Sequence, residues 1–345
     1  MLLRQKQYMP LTLLILRRLL WVLPVALGVV TITFFMARVF TGDPTELYTP
    51  PEATDALRAQ IRAQLGLADS LPRQYIRYLH DLSQLNLGTS FTTGQSVGSD
   101  LWLRLPATLE LGFVGLTFGV VFGIPLGVIA AVNRERWPDF LIRGLTLGGM
   151  ALPQFWIGLV LIMFFFVTLR WLPGPVGRLP VGVPLPPLVT GFLLIDTLVA
   201  GDFPKWLLAV RQLILPGLTL GLSTMAPVAR VTRSSMVEAM QSDYIRTAVA
   251  MGHSKRVVWF RYSLRNALLP VVTLIGGVAG HILGGAVLLE AIFAWPGLGQ
   301  YALQAIERSD FAALQGFVIY ASLLYVIVFL IVDLIYMLID PRMRS

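Results

Sequence analysis

Residues 109–131 read LELGFVGLTFGVVFGIPLGVIAA, a stretch almost without charge. The hydrocarbon core of a bilayer is about 30 Å thick, and a helix needs roughly 20 apolar residues to cross it. Inside lipid the backbone must satisfy its own polar groups, so an uninterrupted run of this kind is helical. Five more segments pass the same test: about Leu19–Ala37, Leu145–Leu169, Leu213–Val231, Leu268–Phe293 and Phe311–Leu338. The expected fold is all-α, with six transmembrane helices. A seventh apolar stretch, Pro184–Ala200, holds Pro184, Pro186, Pro187 and Asp196. Its clean run is short, and it reads as a re-entrant or surface-lying segment.

Glycine recurs every fourth residue in the opening stretch, at Gly115, Gly119, Gly123 and Gly127, and again at Gly276, Gly280 and Gly284 in the fifth span. Four residues bring a helix back to the same face, where glycine lets a second backbone come close. Each row reads as a packing seam or as the wall of a translocation path. Pro125, Pro153 and Pro227 interrupt their spans as kinks or hinges.

Composition agrees with the membrane. Of 345 residues, 56% are hydrophobic and 13% charged, where a soluble domain carries roughly a quarter charged residues. Mean hydropathy is +0.72. The net charge of +8 is not gathered on a soluble basic domain, which argues against nucleic acid as a partner. There is no cysteine, and His80, His253 and His281 lie too far apart to chelate. The first apolar run, after Arg17-Arg18, is too long for a cleaved leader and reads as a retained helix.

Lys and Arg concentrate in short cytoplasmic loops. Here they collect at Arg4, Lys6, Arg17 and Arg18, at Arg134, Arg136 and Arg143, and at Arg233, Arg246, Lys255, Arg256, Arg261 and Arg265, with Arg342 and Arg344 at the end. Both termini are therefore expected in the cytoplasm. The expected division is 1–37 for the N-terminus and first helix, 38–108 for an extracytoplasmic region, and 109–345 for a five-helix core. Within 38–104, helical patterning covers about Thr54–Leu65 and Pro72–Leu85.

The loop at 232–267 is expected in the cytoplasm and is well patterned. Asp243 can cap a helix beginning at Tyr244. Ile245, Ala248 and Val249 share one face, Arg246 and Thr247 point elsewhere, and Gly252 suits the left-handed residue that ends a helix. Such a two-turn helix can enter a groove on another protein or lie on headgroups, and spacing alone leaves both open.

DYIRTAVAMG at 243–252 followed by LRNALLP resembles the coupling segment of binding-protein-dependent ABC importers, in their dipeptide and oligopeptide branch. LLEAIFAWPGLGQYALQAIERSDFAALQG at 288–316, VDLIYMLIDPRMR at 332–344, RRLLWVLPVALGVVTITFF near the start and FTGDP at 40–44 resemble the same branch, so the likeness spans nearly the whole chain. Arg246 stands where the wider superfamily opens this motif with glutamate. The resemblance implies a type I importer permease in the bacterial inner membrane. It implies coupling to two ATP-binding subunits through 243–252, a second related permease, and an extracytoplasmic peptide-binding protein. ATP and magnesium would sit on the partners, since G-x-x-x-x-G-K-[ST] is absent here, and no metal or cofactor is expected on this chain. Peptides are the implied cargo, with nickel complexes or glutathione as the family's alternatives.

A proton-coupled secondary transporter would need deep carboxylates or inverted repeats, and an intramembrane enzyme would need a paired catalytic constellation; the sequence displays neither. Gly276, Gly280, His281, Gly284 and Glu290 are candidate path or gate residues. Trp295, Pro296 and Gly297 are expected to form an outer-face turn anchored by Trp295 at the interface. Asp333 is a further ionisable group within a span.

Overall fold

The computed structural model describes residues 11–36, 38, 45, 49, 52–64 and 67–339. The basic residues Arg4, Lys6, Arg342 and Arg344 and the FTGDP stretch at 40–44 lie outside them, as do the surroundings of Gly284 and the side chain of Asp333. Most of the described residues are helical, and none of them lies in a strand. In order they form α1 (Leu11–Phe35), α2 (Asp55–Gln64), α3 (Leu71–Ser83), α4 (Val97–Val132), α5 (Trp137–Ala151), α6 (Gln154–Leu161), α7 (Leu193–Val199) and α8 (Phe203–Met240). There follow α9 (Asp243–Ala250), α10 (Leu264–Gly285), α11 (Val287–Ile292), α12 (Leu298–Glu307) and α13 (Phe311–Ile339). Short π-helical stretches, Ile162–Thr168 and Val257–Ser263, continue α6 and lead into α10.

Four helical segments are long and apolar enough to cross a membrane: Val97–Val132, Phe203–Met240, Val257–Ile282 and Phe311–Val332. Two further helices, Trp137–Ala151 and Gln154–Thr168, pass the same test only as a pair, bent by 104° at a short break. The expectation of one helix over Leu145–Leu169 is corrected here. Pro153 has no N–H to continue the ladder and pushes Leu152 out of the helical region, to ψ 133°. Pro125 and Pro227, by contrast, lie inside continuous helices. The sixth expected span falls on α1, whose described apolar run is Leu23–Phe35; Ala37 is outside the described residues. Pro184–Ala200 yields only α7, seven residues and about 10 Å, too short to cross.

The expected loop at 232–267 is mostly helix. Helix α8 runs on to Met240, α9 follows, and the π-helical stretch leads straight into α10. At 38 residues, α8 is about 57 Å long and far exceeds the hydrocarbon thickness. Span prediction stops where apolar residues stop; the helix does not. The expected span Leu268–Phe293 is cut, with Ala286 separating α10 from α11.

The chain divides into two compact units, one of Met1–Leu16, Leu105–Gln300 and Leu324–Ser345, the other of Arg17–Arg104 and Tyr301–Leu323. In the second, α2 and α3 form where patterning placed them. Asp310 ties the turn after α3 to the start of α13. Its carboxylate accepts from the Ser90 hydroxyl at 2.6 Å and from the backbone N–H groups of Thr92 and Ala313 at 2.9 and 3.1 Å. Burial opposes its charge, but these donors prevail and hold the carboxyl below the usual range.

The first unit is built on a seam between α4 and α8. A Cβ on Gly115, Gly119, Gly123 or Gly127 would overlap Leu220, Thr224, Val228 or Thr232 respectively. Each partner lies the same number of residues further along the chain, so the two helices run parallel and in register. Gly217 and Gly221 of α8 return the arrangement against Val114 and Phe118. Of the two readings of this glycine row, packing holds. Gly276 and Gly280 pack in the same way, under Val332 and under Tyr325 and Phe329 of α13.

Candidate functional site

Helix α9 sits beyond the end of α8, after a two-residue break. Ser242, extended at φ −72° and ψ 154°, is the residue before its first turn. The assignment of Asp243 as cap is thereby corrected: Asp243 begins the helix, and its exposed carboxylate lies 3.3 Å from the Arg246 guanidinium, itself exposed. Thr247 donates its hydroxyl back to the Asp243 carbonyl. Gly252 ends the segment at φ +79°, as its spacing implied. Its N–H donates to the Val249 carbonyl at 3.0 Å, and the next N–H, from His253, reaches the Ala248 carbonyl.

The two faces of α9 have different tasks. Ile245 and Ala248 are 4% and 1% exposed, seated by the chain's own structure, with α9 packed on the Val257–Ser263 stretch. Tyr244 is pinned by Asn266, whose amide donates to its hydroxyl at 2.9 Å, and Tyr262 pairs with His253 at 3.2 Å. Val249, expected to share a face with Ile245 and Ala248, is 58% exposed, and Met251 is 64% exposed. The buried face holds the helix in place; the opposite face, with Arg246, Val249 and Met251, is presented outward.

Behind α9, Arg233 of α8 grips Asp139 of α5 with both arms, Nε to Oδ1 at 2.5 Å and Nη2 to Oδ2 at 2.7 Å. The backbone N–H of Glu135 donates to the same carboxylate at 3.0 Å, and Asp139 is fully buried. This clamp joins the start of α5 to the α9 end of α8. Sequence reading missed it because the partners are far apart in the chain and each resembles an ordinary loop charge. Two more buried carboxylates were missed. Glu110 accepts from Arg178 at 2.7 Å and from the Leu194 N–H at 2.8 Å. Asp196 accepts from the Thr190 hydroxyl and from the N–H groups of Thr190 and Gly191.

A second constellation surrounds Glu290 on α11. Glu290 is fully buried; Oε1 accepts from the Thr108 hydroxyl at 2.7 Å and Oε2 from the Gln300 N–H at 3.0 Å. The Thr108 oxygen also accepts from the Leu298 N–H, and Trp295 donates Nε1–H to the Ala107 carbonyl at 2.8 Å. Gly297 leaves no room for a side chain, because a Cβ there would strike the Glu290 carboxylate. Trp295-Pro296-Gly297 links α11 to α12, and Trp295 is 1% exposed. The interfacial-anchor reading is corrected: the indole finds its acceptor in the protein core, so it does not need the headgroup zone. Among the candidate path residues, Gly276 and Gly280 are covered by α13, Glu290 lies within this knot, and His281 is exposed on α10. The structure does not gather them on one wall. Replacing Glu290 with Gln removes one acceptor from a buried N–H or hydroxyl. The expected loss is about 1 kcal/mol, and Glu290→Ala should cost more; thermal unfolding of the purified protein in detergent measures both.

Residues 123–345 match the model of the binding-protein-dependent transport system inner membrane component, and residues 11–112 match the N-terminal model of the same membrane components. The chain belongs to this family. The permease is 45% identical to a probable D,D-dipeptide transport system permease protein of Escherichia coli (strain K12), over 95% of this chain and 96% of that one. It is 42% identical to a di/tripeptide transport system permease of Pseudomonas aeruginosa (strain UCBPP-PA14), over 95% and 97%. A glutathione transport system permease of Pectobacterium atrosepticum is 36% identical over 95% and 97%. The permease is thus a multi-pass inner-membrane component of an ABC transport system that works with a binding protein and ATPase subunits.

Proposed function

We propose that this permease is one of two related subunits forming the path by which an ATP-driven importer brings di- and oligopeptides into the cell. The outward face of α9 carries the reading. A helix seated by one face on its own chain, and presenting the other, is suited to receive a partner's motion and pass it to the spans. Partner ATPases supply ATP and magnesium chemistry and dock on Arg246, Val249 and their neighbours. Both termini and α9 lie in the cytoplasm, supported by the arginines and lysines at the α8–α10 end. A peptide-binding protein delivers cargo to the opposite side. The names of the relatives support peptides as cargo, and the glutathione relative supports a second reading of the same kind, a tripeptide-like thiol.

Reconstitution in proteoliposomes with the second permease, the ATPases and the binding protein tests the proposal. ATP-dependent accumulation of a labelled dipeptide, unaffected by excess glutathione, is expected. Accumulation without ATP, or of glutathione alone, would overturn the peptide-importer reading.

A further inference from the structure

Between α5 and α8, close to the Asp139–Arg233 clamp, lies a cavity of about 410 Å³ whose polar lining includes Arg143, Thr146, Arg230, Arg233 and Ser234. Its charge is one-sided. Arg233 is neutralised by Asp139, but neither Arg143 nor Arg230 forms an ion pair among the described residues. Arg230 has only the Met150 sulfur, at 3.9 Å from Nη1. Asp139 is fully buried and faces Arg233, so the cavity offers no carboxylate to an ammonium group. The remaining walls are aliphatic, Ile142, Leu147 and Ala229. Beside it α5 exposes Leu141, Leu145 and Leu147 at 54, 65 and 56%, with Trp137 exposed at its first turn.

We infer that this cavity binds the phosphodiester of an anionic membrane phospholipid. Two guanidiniums that no carboxylate holds in an ion pair match phosphate oxygens, which they can grip in forked geometry. The Thr146 and Ser234 hydroxyls donate to backbone carbonyls of their own helices, which leaves the phosphate to the arginines, and the exposed leucines of α5 suit the acyl chains. Trp137 sits as residues do at the boundary of hydrocarbon and water. A basic pocket between membrane helices has this specificity for anionic headgroups. A zwitterionic peptide fits less well, because its ammonium would face arginine. The inference depends on the membrane location of the permease and is independent of its cargo.

The test uses the full-length permease, purified as it assembles, in nanodiscs of equal phosphatidylglycerol and phosphatidylcholine. Lipid retained after detergent extraction is counted by native mass spectrometry. Phosphatidylglycerol should be enriched roughly tenfold. Arg143→Gln with Arg230→Gln should bring the ratio to parity, the double Lys variant should keep most of the enrichment, and Arg134→Gln, outside the cavity, should change nothing. Parity in the unaltered protein would overturn the inference without recourse to any variant. So would an equal loss in Arg134→Gln, or displacement of the lipid by millimolar inorganic phosphate or dipeptide.

Discussion

Replacing Gly252 with Val should cut ATP-driven uptake by about tenfold or more while leaving the protein inserted and folded. Gly252 adopts φ +79°, and a Cβ there would meet nothing within 4 Å. The penalty is therefore one of backbone conformation alone. A left-handed residue costs an L side chain roughly 1–2 kcal/mol, and β-branched residues more. The chain can relieve this strain by unwinding the end of α9, where the Gly252 and His253 N–H groups close the last turn. The Ile245 and Ala248 side chains are buried against the chain's own structure, so the seat should survive. Asn tolerates the left-handed region, so Gly252→Asn should retain most of the uptake, with Gly252→Ala between the two. Uptake and ATP hydrolysis measured together decide the matter. Val with normal uptake and normal stimulation of the ATPase would remove α9 from the coupling role.

Asp139→Ala should have the largest effect on folding. The substitution leaves the Arg233 guanidinium facing a site shaped for a carboxylate, and breaking one side of a buried pair costs about 3–5 kcal/mol. The Arg233 side chain is 22% exposed, so water recovers part of this and a loss of about 3 kcal/mol is expected. Arg233→Leu in the Asp139→Ala background should restore much of it, because no unpaired charge then remains. A double-mutant cycle on thermal unfolding measures the coupling. Additive single losses would mean that the clamp contributes nothing as a pair.

Apolar length made the spans legible. A bilayer permits few alternatives to a helix, and 109–131 lies wholly within α4. The glycine rows were legible as shared faces, because four-residue spacing fixes a face regardless of partner; that Gly115, Gly119, Gly123 and Gly127 pack against α8 was not. The boundaries were hidden for a physical reason: outside the hydrocarbon, polar residues continue a helix at little cost, so α8 extends well past both ends of its apolar run. The break at Leu152–Pro153 was visible as a proline, but neither the spacing nor the composition fixes how far neighbouring packing lets the two halves diverge. At the site, Gly252 was legible because only backbone conformation matters there. The direction of α9 was not: Ile245 and Ala248 resembled a face prepared for a partner, and only tertiary packing reveals that the chain uses them itself. The Asp139–Arg233 and Glu290–Thr108 pairs join residues distant in sequence, and no local pattern announces them.

The matched register of α4 and α8 has a mechanical corollary. Side chains from each helix fill notches in the other at several successive turns, so axial slip would have to unseat all of them together. The pair therefore behaves as a single stiff rod, and a push at one tip arrives at the other with little lost to bending or sliding. Wear in this rod would mimic a faulty motor: fuel burned, nothing carried, and every docking contact sound.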